Sequence, residues 1–204
     1  MKPQAHELTG ILLAGGMSTR MGKEKGMLKV GSQPLYRYPM DVLEKMCQEI
    51  LISTCRPTQF PESYPMVCDQ YPGIGPMGGL CTCLDRSSTL WNVILSCDLP
   101  LVSTALISYL LDQTQGYDIV VPYMEEGKPE PLCAIYSRET IGIFKELIAR
   151  RTYAIYQALS MARTRFVAID ENLSFFRPDL FLNINRREDL RKIPDELWHG
   201  IHEE

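Results

Sequence analysis

Histidine is almost absent from this 204-residue sequence: His6, His199 and His202 are the only three, and all lie near the ends. The interior therefore holds no imidazole for a Ser-His-Asp or Cys-His constellation, and none for a His-based zinc site. Catalysis, if there is any, falls to carboxylates, Lys, Arg, backbone amides or a metal. The seven cysteines are odd in number and form no C-x-x-C pair. Most sit inside apolar runs, where a thiol behaves as a small hydrophobe. This pattern predicts a reduced, cytoplasmic chain without a disulfide framework. Cys81 and Cys83 fall on different faces of a helix, which argues against a metal pair. No apolar run approaches the ~18 residues of a membrane span. The stretch Leu8 to Ala14 after Met1-Lys2 has the outline of a leader, but Glu7 and Gly15-Gly16 break it, so none is predicted. A basic excess is missing as well. Net charge is −4 and the pI about 5.5, which speaks against general nucleic-acid binding and requires any anionic ligand to meet a locally basic site.

What is present suits one α/β domain with a sizeable core: 45% hydrophobic and 23% charged residues, both ordinary for a globular chain. Gly10 to Ala14 reads as a strand buried on both faces. A helix is predicted from Pro34 to about Gln48, with Pro39 a blemish in its first turns. Further strands are predicted at residues 50–53, 66–68, 91–97, 117–121, 132–136 and 165–169. Ser103 is placed to cap a helix over 105–111, and 141–149 is amphipathic. Strands alternate with helices without repeats or a linker. The prediction is a single doubly wound, three-layer α/β/α domain with a mainly parallel sheet, its core about 9–192 and residues 193–204 a tail.

The first strand stops at Gly15-Gly16, followed by a small, polar loop containing Arg20, Lys23 and Lys25. Such a loop exposes backbone N–H groups that cradle phosphates, with the cations around them. It can equally be an ordinary turn with solvated basic residues. It matches neither G-x-G-x-x-G nor G-x-x-x-x-G-K-[ST]. Asp69 opens a stretch with four Gly and two Pro, Pro72 to Gly79, shaped for close backbone approach. Asp98 ends the strongest strand pattern, where open α/β sheets bind ligands. Arg150 and Arg151 either complement a helix C-terminus or bind a phosphate. Asn185 suits a helix N-cap, and Asn183 is the more functional of the two.

Leu13-Ala14-Gly15-Gly16-x-Ser18-x-Arg20-Met21-Gly22-x-x-Lys25 resembles the signature loop of a nucleotidyltransferase family that includes sugar-phosphate nucleotidyltransferases and MobA-type molybdenum cofactor guanylyltransferases. Gly75-Pro76-Met77-x-Gly79-Leu80 after Asp69, Cys97-Asp98-x-Pro100, Gly127-x-x-x-Pro131-Leu132-x-Ala134-x-Tyr136 and Asn183-x-Asn185 resemble its later motifs and favour the MobA-type branch. The related cytidylyltransferases carry a His near the fourth motif, and this chain has none there. The resemblance spans about Thr9 to Lys192 and implies a Rossmann-like nucleotide-diphospho-sugar transferase fold. It implies transfer of GMP from GTP to molybdopterin, giving the guanine dinucleotide and pyrophosphate. Lys25, Asp98 and Arg20 become catalytic, with Mg²⁺ on Asp98. Leu13, Ala14, Gly15, Gly16, Lys25, Ser53, Asp69, Gly78 and Asp98 become nucleotide-binding. Pro131, Arg150, Arg151 and Asn183 fall on the pterin side. The implied partners are GTP and molybdopterin, with transient contact to cofactor-insertion proteins or target molybdoenzymes, and neither nucleic acid nor membrane. Two positions depart from the pattern: Ser53 or Thr54 stands where Asn is usual, and Glu24 where Asp is. CTP as donor, or a sugar or alcohol phosphate as acceptor, remains an alternative. So does a non-catalytic nucleotide-binding regulator, against which the intact Lys25 and Asp98 speak.

Overall fold

The computed structural model describes residues 2–15, 25–55, 60, 63–124 and 127–194. Along the chain come β1 (Leu8–Leu13), a short hairpin of β2 (Lys29–Val30) and β3 (Gln33–Pro34), α1 (Arg37–Met46), β4 (Glu49–Ser53), β5 (Met66–Val67) and α2 (Pro76–Arg86). Then follow β6 (Trp91–Ser96), α3 (Thr104–Leu111), β7 (Ile119–Tyr123), β8 (Cys133–Ser137), α4 (Ile141–Ala149), α5 (Ile155–Met161) and β9 (Thr164–Ala168). Among the described residues seven strands form one sheet in the order β5-β4-β1-β6-β8-β7-β9. Only β8 runs against its neighbours; the other pairs are parallel. The predicted mainly parallel, helix-covered sheet is the observed one.

Alternation along the central strands divides the core in two. Leu8 and Leu12 of β1 and Val93 and Leu95 of β6 pack with Met40 and Leu43 of α1 and Leu106 and Leu110 of α3. Ile11, Leu13 and Ile94 point the other way, toward Met77 and Leu80 of α2, Phe144 of α4 and Leu159 of α5. Both faces of β1 and β6 are thus covered, as their unbroken apolar sequences require. A third, smaller cluster joins Leu28, Val30 and Leu35 around the hairpin to Ile184 and Ile193. It brings the C-terminal segment back across the sheet end.

Two expectations need correction. The first helix starts at Arg37, not Pro34, because Pro34 is taken up in β3 opposite Lys29. Pro39 then falls in the first turn, where its missing N–H leaves no bond unmade. The second concerns the thiols: Cys55 and Cys68 form a disulfide, with Cα atoms 4.4 Å apart. β4 and β5 are parallel neighbours with Ser53 opposite Val67, so the residues just beyond their ends come within bridging distance. A spacing of 13 residues carries no such sign in the sequence. The other five cysteines are buried, as expected. Among the described residues no helix is long and apolar enough to cross a membrane.

Candidate functional site

From β1 the chain moves to β4 and β5 on one side, then crosses back to β6 on the other. The crevice beyond the C-terminal ends of β1 and β6 lies at this reversal, where open α/β sheets take ligands. Its floor is fixed by backbone bonds. The Ala14 N–H donates to the Ser53 carbonyl at 3.1 Å, and the Cys97 N–H donates to the Leu13 carbonyl at 3.1 Å. Gly15 is close-packed, since a Cβ there would stand 3.3 Å from the Ser53 carbonyl oxygen. After the loop, a short 3-10 turn, Lys25–Met27, lies over the end of β6. A Cβ on Gly26 would touch the Cys97 sulfur at 3.4 Å, and the Gly26 carbonyl accepts from Tyr36 N–H at 3.0 Å. The backbone of Lys25 is therefore beside Cys97-Asp98. Gly16, Arg20 and Glu24 lie outside the described residues.

Asp98 stands two residues past β6, with only 9% of its surface exposed. Asn183 reaches it from the C-terminal segment. Oriented with its nitrogen inward, the Asn183 amide donates to both carboxylate oxygens, at 2.6 and 3.0 Å. The Ile184 N–H donates to the Asp98 carbonyl at 3.0 Å, which pins the two segments together. Asn183, which the family resemblance puts on the pterin side, lies against the Asp98 carboxylate. The N-cap of the closing 3-10 turn, Arg187–Lys192, is Arg186 rather than Asn185, and the backbone N–H groups of Asn185 and Arg186 donate to Asp189, at 3.0 and 2.8 Å.

The donor set fits a hard divalent cation. Asp98 supplies a buried carboxylate, and the Asn183 amide that donates to it fixes its orientation. Among the described residues no group of three His, Cys, Asp or Glu converges to form a cage. One carboxylate leaves most coordination positions to water and ligand phosphates, the usual arrangement for Mg²⁺.

On the β5 side, Asp69 is half-buried. Its Oδ1 accepts from the Tyr71 N–H at 2.7 Å and from the Thr82 hydroxyl at 3.5 Å. Thr82 also accepts from the Gln70 N–H and donates to the Gly78 carbonyl. Both carboxylate oxygens press on Gly78: an added Cβ would sit 2.5 and 2.6 Å from them. Gly79 is as tightly held, 2.4 Å from the Ser53 hydroxyl by the same measure. The two glycines let α2 settle onto β4 and onto the Asp69 loop. Ser53, 3% exposed, spends its hydroxyl beneath α2, next to the Cys83 thiol. Its contribution to the crevice is the carbonyl that holds Ala14.

The opposite wall is residues 127–132. The antiparallel register of β8 on β6 sets Leu95 opposite Cys133, and the Ser96 N–H donates to the Leu132 carbonyl at 2.9 Å. Pro131 is buried, and its carbonyl accepts from the Tyr136 hydroxyl at 2.9 Å. Glu130, which the sequence did not single out, is half-buried here. Desolvation raises its carboxyl above the usual range, the Lys128 charge opposes this and the Asp98 charge adds to it. Its only hint in the sequence was its place inside Gly127-Lys128-Pro129-Glu130-Pro131. α5, which follows the α4–α5 connection, reaches the same end, for its Tyr156 hydroxyl donates to the Pro129 carbonyl at 3.1 Å. Arg150 and Arg151 lie exposed on that connection. Arg150 pairs with Glu146 at 2.5 Å, and Arg151 takes φ 55 where the helix ends.

Comparison with known proteins accords with this architecture. The family model described as "MobA-like NTP transferase domain" matches residues 10–164. A protein of Pelotomaculum thermopropionicum, named a probable molybdenum cofactor guanylyltransferase, is 30% identical over 190 residues, covering 91% of this chain and 91% of its own. One of the same name from Carboxydothermus hydrogenoformans is 31% identical over 189 residues, covering 91% and 94%. Among solved structures, molybdopterin-guanine dinucleotide biosynthesis protein A from Archaeoglobus fulgidus superposes with a TM-score of 0.75 at 20% identity, over 90% of this chain and 95% of that one. That likeness is one of fold.

Proposed function

We propose a reaction from the premise that this chain belongs to the MobA-like NTP transferase family. It is a nucleotidyltransferase that moves GMP from GTP to molybdopterin, releasing pyrophosphate. The observation that carries this reading is the buried Asp98 carboxylate held by the half-buried Asn183 amide at the C-terminal ends of β1 and β6. An oxygen of the acceptor's terminal phosphate attacks the α-phosphorus of GTP. The bond from that phosphorus to the β-bridging oxygen breaks, and pyrophosphate leaves with the electron pair. A phosphate monoester has its second pKa near ~6 and is already ionised at neutral pH. No general base is needed, which suits a chain whose only histidines are at positions 6, 199 and 202.

What the protein must supply is alignment and positive charge. Leu13, Ala14 and Gly15 present backbone to the nucleotide phosphates, continued by Gly16 and Arg20, and Lys25 adds a compact cation. Mg²⁺ held by Asp98, with Asn183 beside it, would neutralise charge on the α-phosphate and the leaving group. Asp69, Gly78 and Ser53 shape the wall on the nucleotide side. Pro131, Arg150 and Arg151 belong to the acceptor side, where two exposed guanidinium groups suit an anionic substrate. The enzyme works as one cytoplasmic domain and hands its product to cofactor-insertion proteins or target molybdoenzymes.

The test is pyrophosphate release with molybdopterin, Mg²⁺ and each nucleoside triphosphate in turn. GTP should be used in preference to ATP and CTP. Equal or faster turnover with CTP would replace the guanylyl assignment with a cytidylyl one. Activity only with a sugar phosphate would reassign the acceptor.

A further inference from the structure

The disulfide stands at a telling place. Cys55 follows β4 by two residues, and Cys68 directly follows β5. β5 is the outermost strand of the sheet and only two residues long. Its non-covalent hold is slight: Ile52 pairs with Met66 and Ser53 with Val67, through bonds such as Ile52 N–H to Pro65 carbonyl and Thr54 N–H to Val67 carbonyl, both 3.0 Å. The next residue after Cys68 is Asp69, whose carboxylate sits against the start of α2. The cystine therefore ties the strand that holds Ala14 to the loop that carries Asp69. It fastens the floor of the crevice to its nucleotide-side wall at the short outer strand of the sheet.

Cys55 and Cys68 are also the two exposed cysteines, whereas Cys47, Cys81, Cys83, Cys97 and Cys133 are buried. Burial pushes the Cys47 and Cys83 thiols up to about 12 and Cys81 to about 11, so none of these three competes as a thiolate. An incoming thiol thus has one accessible cystine to attack and no neighbouring protein thiolate to scramble it. Exposed disulfides are the labile ones, and those in reducing compartments serve mainly as transient or sensing devices.

We infer that Cys55–Cys68 is a reversible thiol–disulfide modification site whose co-substrate is a dithiol reductant, and that its state sets how firmly the nucleotide side of the crevice is held. In the forward step a thiolate of the dithiol attacks one cystine sulfur, the S–S bond breaks, and the other cysteine leaves as a thiolate and takes a proton. The second thiol of the reductant, as its thiolate, then displaces the protein sulfur from the mixed disulfide. Two electrons pass to the protein, which ends with two thiols, and the reductant ends as a disulfide. A disulfide oxidant reverses the sequence. In the oxidised form the Asp69 loop is pre-positioned; in the reduced form it must be ordered when ligand binds.

The nucleotide part of this inference rests on the function proposed above, and the experiment separates the two. The full-length protein is treated with dithiothreitol under native conditions, alkylated with iodoacetamide and mapped by mass. In parallel, amide hydrogen exchange across residues 66–82 and GTP affinity with Mg²⁺ are measured for oxidised protein, reduced protein and the double variant Cys55→Ser/Cys68→Ser. We expect label on Cys55 and Cys68 alone, faster exchange in 66–82 after reduction, and GTP binding about tenfold weaker through lost pre-organisation. The double variant should match reduced protein whether or not dithiothreitol is present. If no state binds GTP, the proposed function fails, and exchange still decides whether the cystine holds the loop. A cystine that resists dithiothreitol in the folded protein, exchange and affinity unchanged by reduction, or global unfolding on reduction would each overturn the inference.

Discussion

Replacing Gly78 by Ala tests the packing of the nucleotide wall, because helix propensity and tertiary contact pull in opposite directions. Gly78 lies in the first turn of α2, and its backbone is helical, so alanine gains up to ~1 kcal/mol of propensity. The new methyl, however, would stand 2.5 and 2.6 Å from the two Asp69 oxygens and 2.6 Å from the Tyr71 carbonyl oxygen. That falls short of ordinary non-bonded contact, about 3.5 Å, by close to an ångström. The carboxylate is restrained by the Tyr71 N–H and Thr82, and the third obstacle is backbone, so the start of α2 itself must move. Overpacking of this kind costs roughly 1–3 kcal/mol. The net expectation for Gly78→Ala is a loss of about 1–2 kcal/mol, or roughly 3–6 °C in Tm for a chain of this size. Nucleotide affinity should fall as well, since the Asp69 loop moves with the helix. Gly142 in α4 is the internal control, as a Cβ there meets nothing within 4 Å. Gly142→Ala should be neutral or stabilising, by up to about 0.5 kcal/mol. Thermal unfolding of both variants is the assay. A Gly78→Ala protein as stable as the parent would refute the argument that α2 is pressed against Asp69.

Asp98→Asn should keep the fold, because an amide can still meet Asn183, yet lower Mg²⁺-dependent turnover on the order of 100-fold or more; near-parental rates in the folded variant would remove Asp98 from the site. Lys25→Ala should weaken GTP binding and turnover, and Lys25→Arg should restore only part, since a planar fork replaces a point charge; unchanged GTP kinetics would make the loop structural. Asp118 has its carboxyl held below the usual range, chiefly by its hydrogen bonds from the Arg163 side chain, so its contribution is present above the unfolded pKa of about 3.9 and disappears as pH falls through the folded value. Asp118→Asn should therefore cost under ~1 kcal/mol at pH 7, the pair being partly exposed, with the difference from the parent closing in acid denaturation series; a gap that widens in acid would contradict the sign.

Much of this protein is legible in one dimension because the information is local. The unbroken apolar runs of β1 and β6 can only be strands covered on both faces, and their alternation with helices leads to the parallel sheet. Gly15 and Asp98 announce themselves because each follows the end of such a run, and the sheet places strand ends together whatever the loops do. Ser103 as a cap is likewise local, and its hydroxyl accepts from the Leu106 N–H as expected. Other features depend on which segments the fold makes neighbours, and no spacing encodes that. The Cys55–Cys68 bond exists because β5 pairs with β4. Glu130 joins the site because β8 runs antiparallel to β6. Asn183 meets Asp98 because the Leu28, Val30 and Ile184 cluster folds the C-terminal segment over the sheet end. Ser53 turns its hydroxyl under α2 because two glycines let that helix come close. The sequence by itself determined the layers, the strand ends and the kinds of chemistry available. Tertiary structure alone decided which carboxylates, amides and thiols stand together, because contacts between distant segments depend on packing, which no local pattern records.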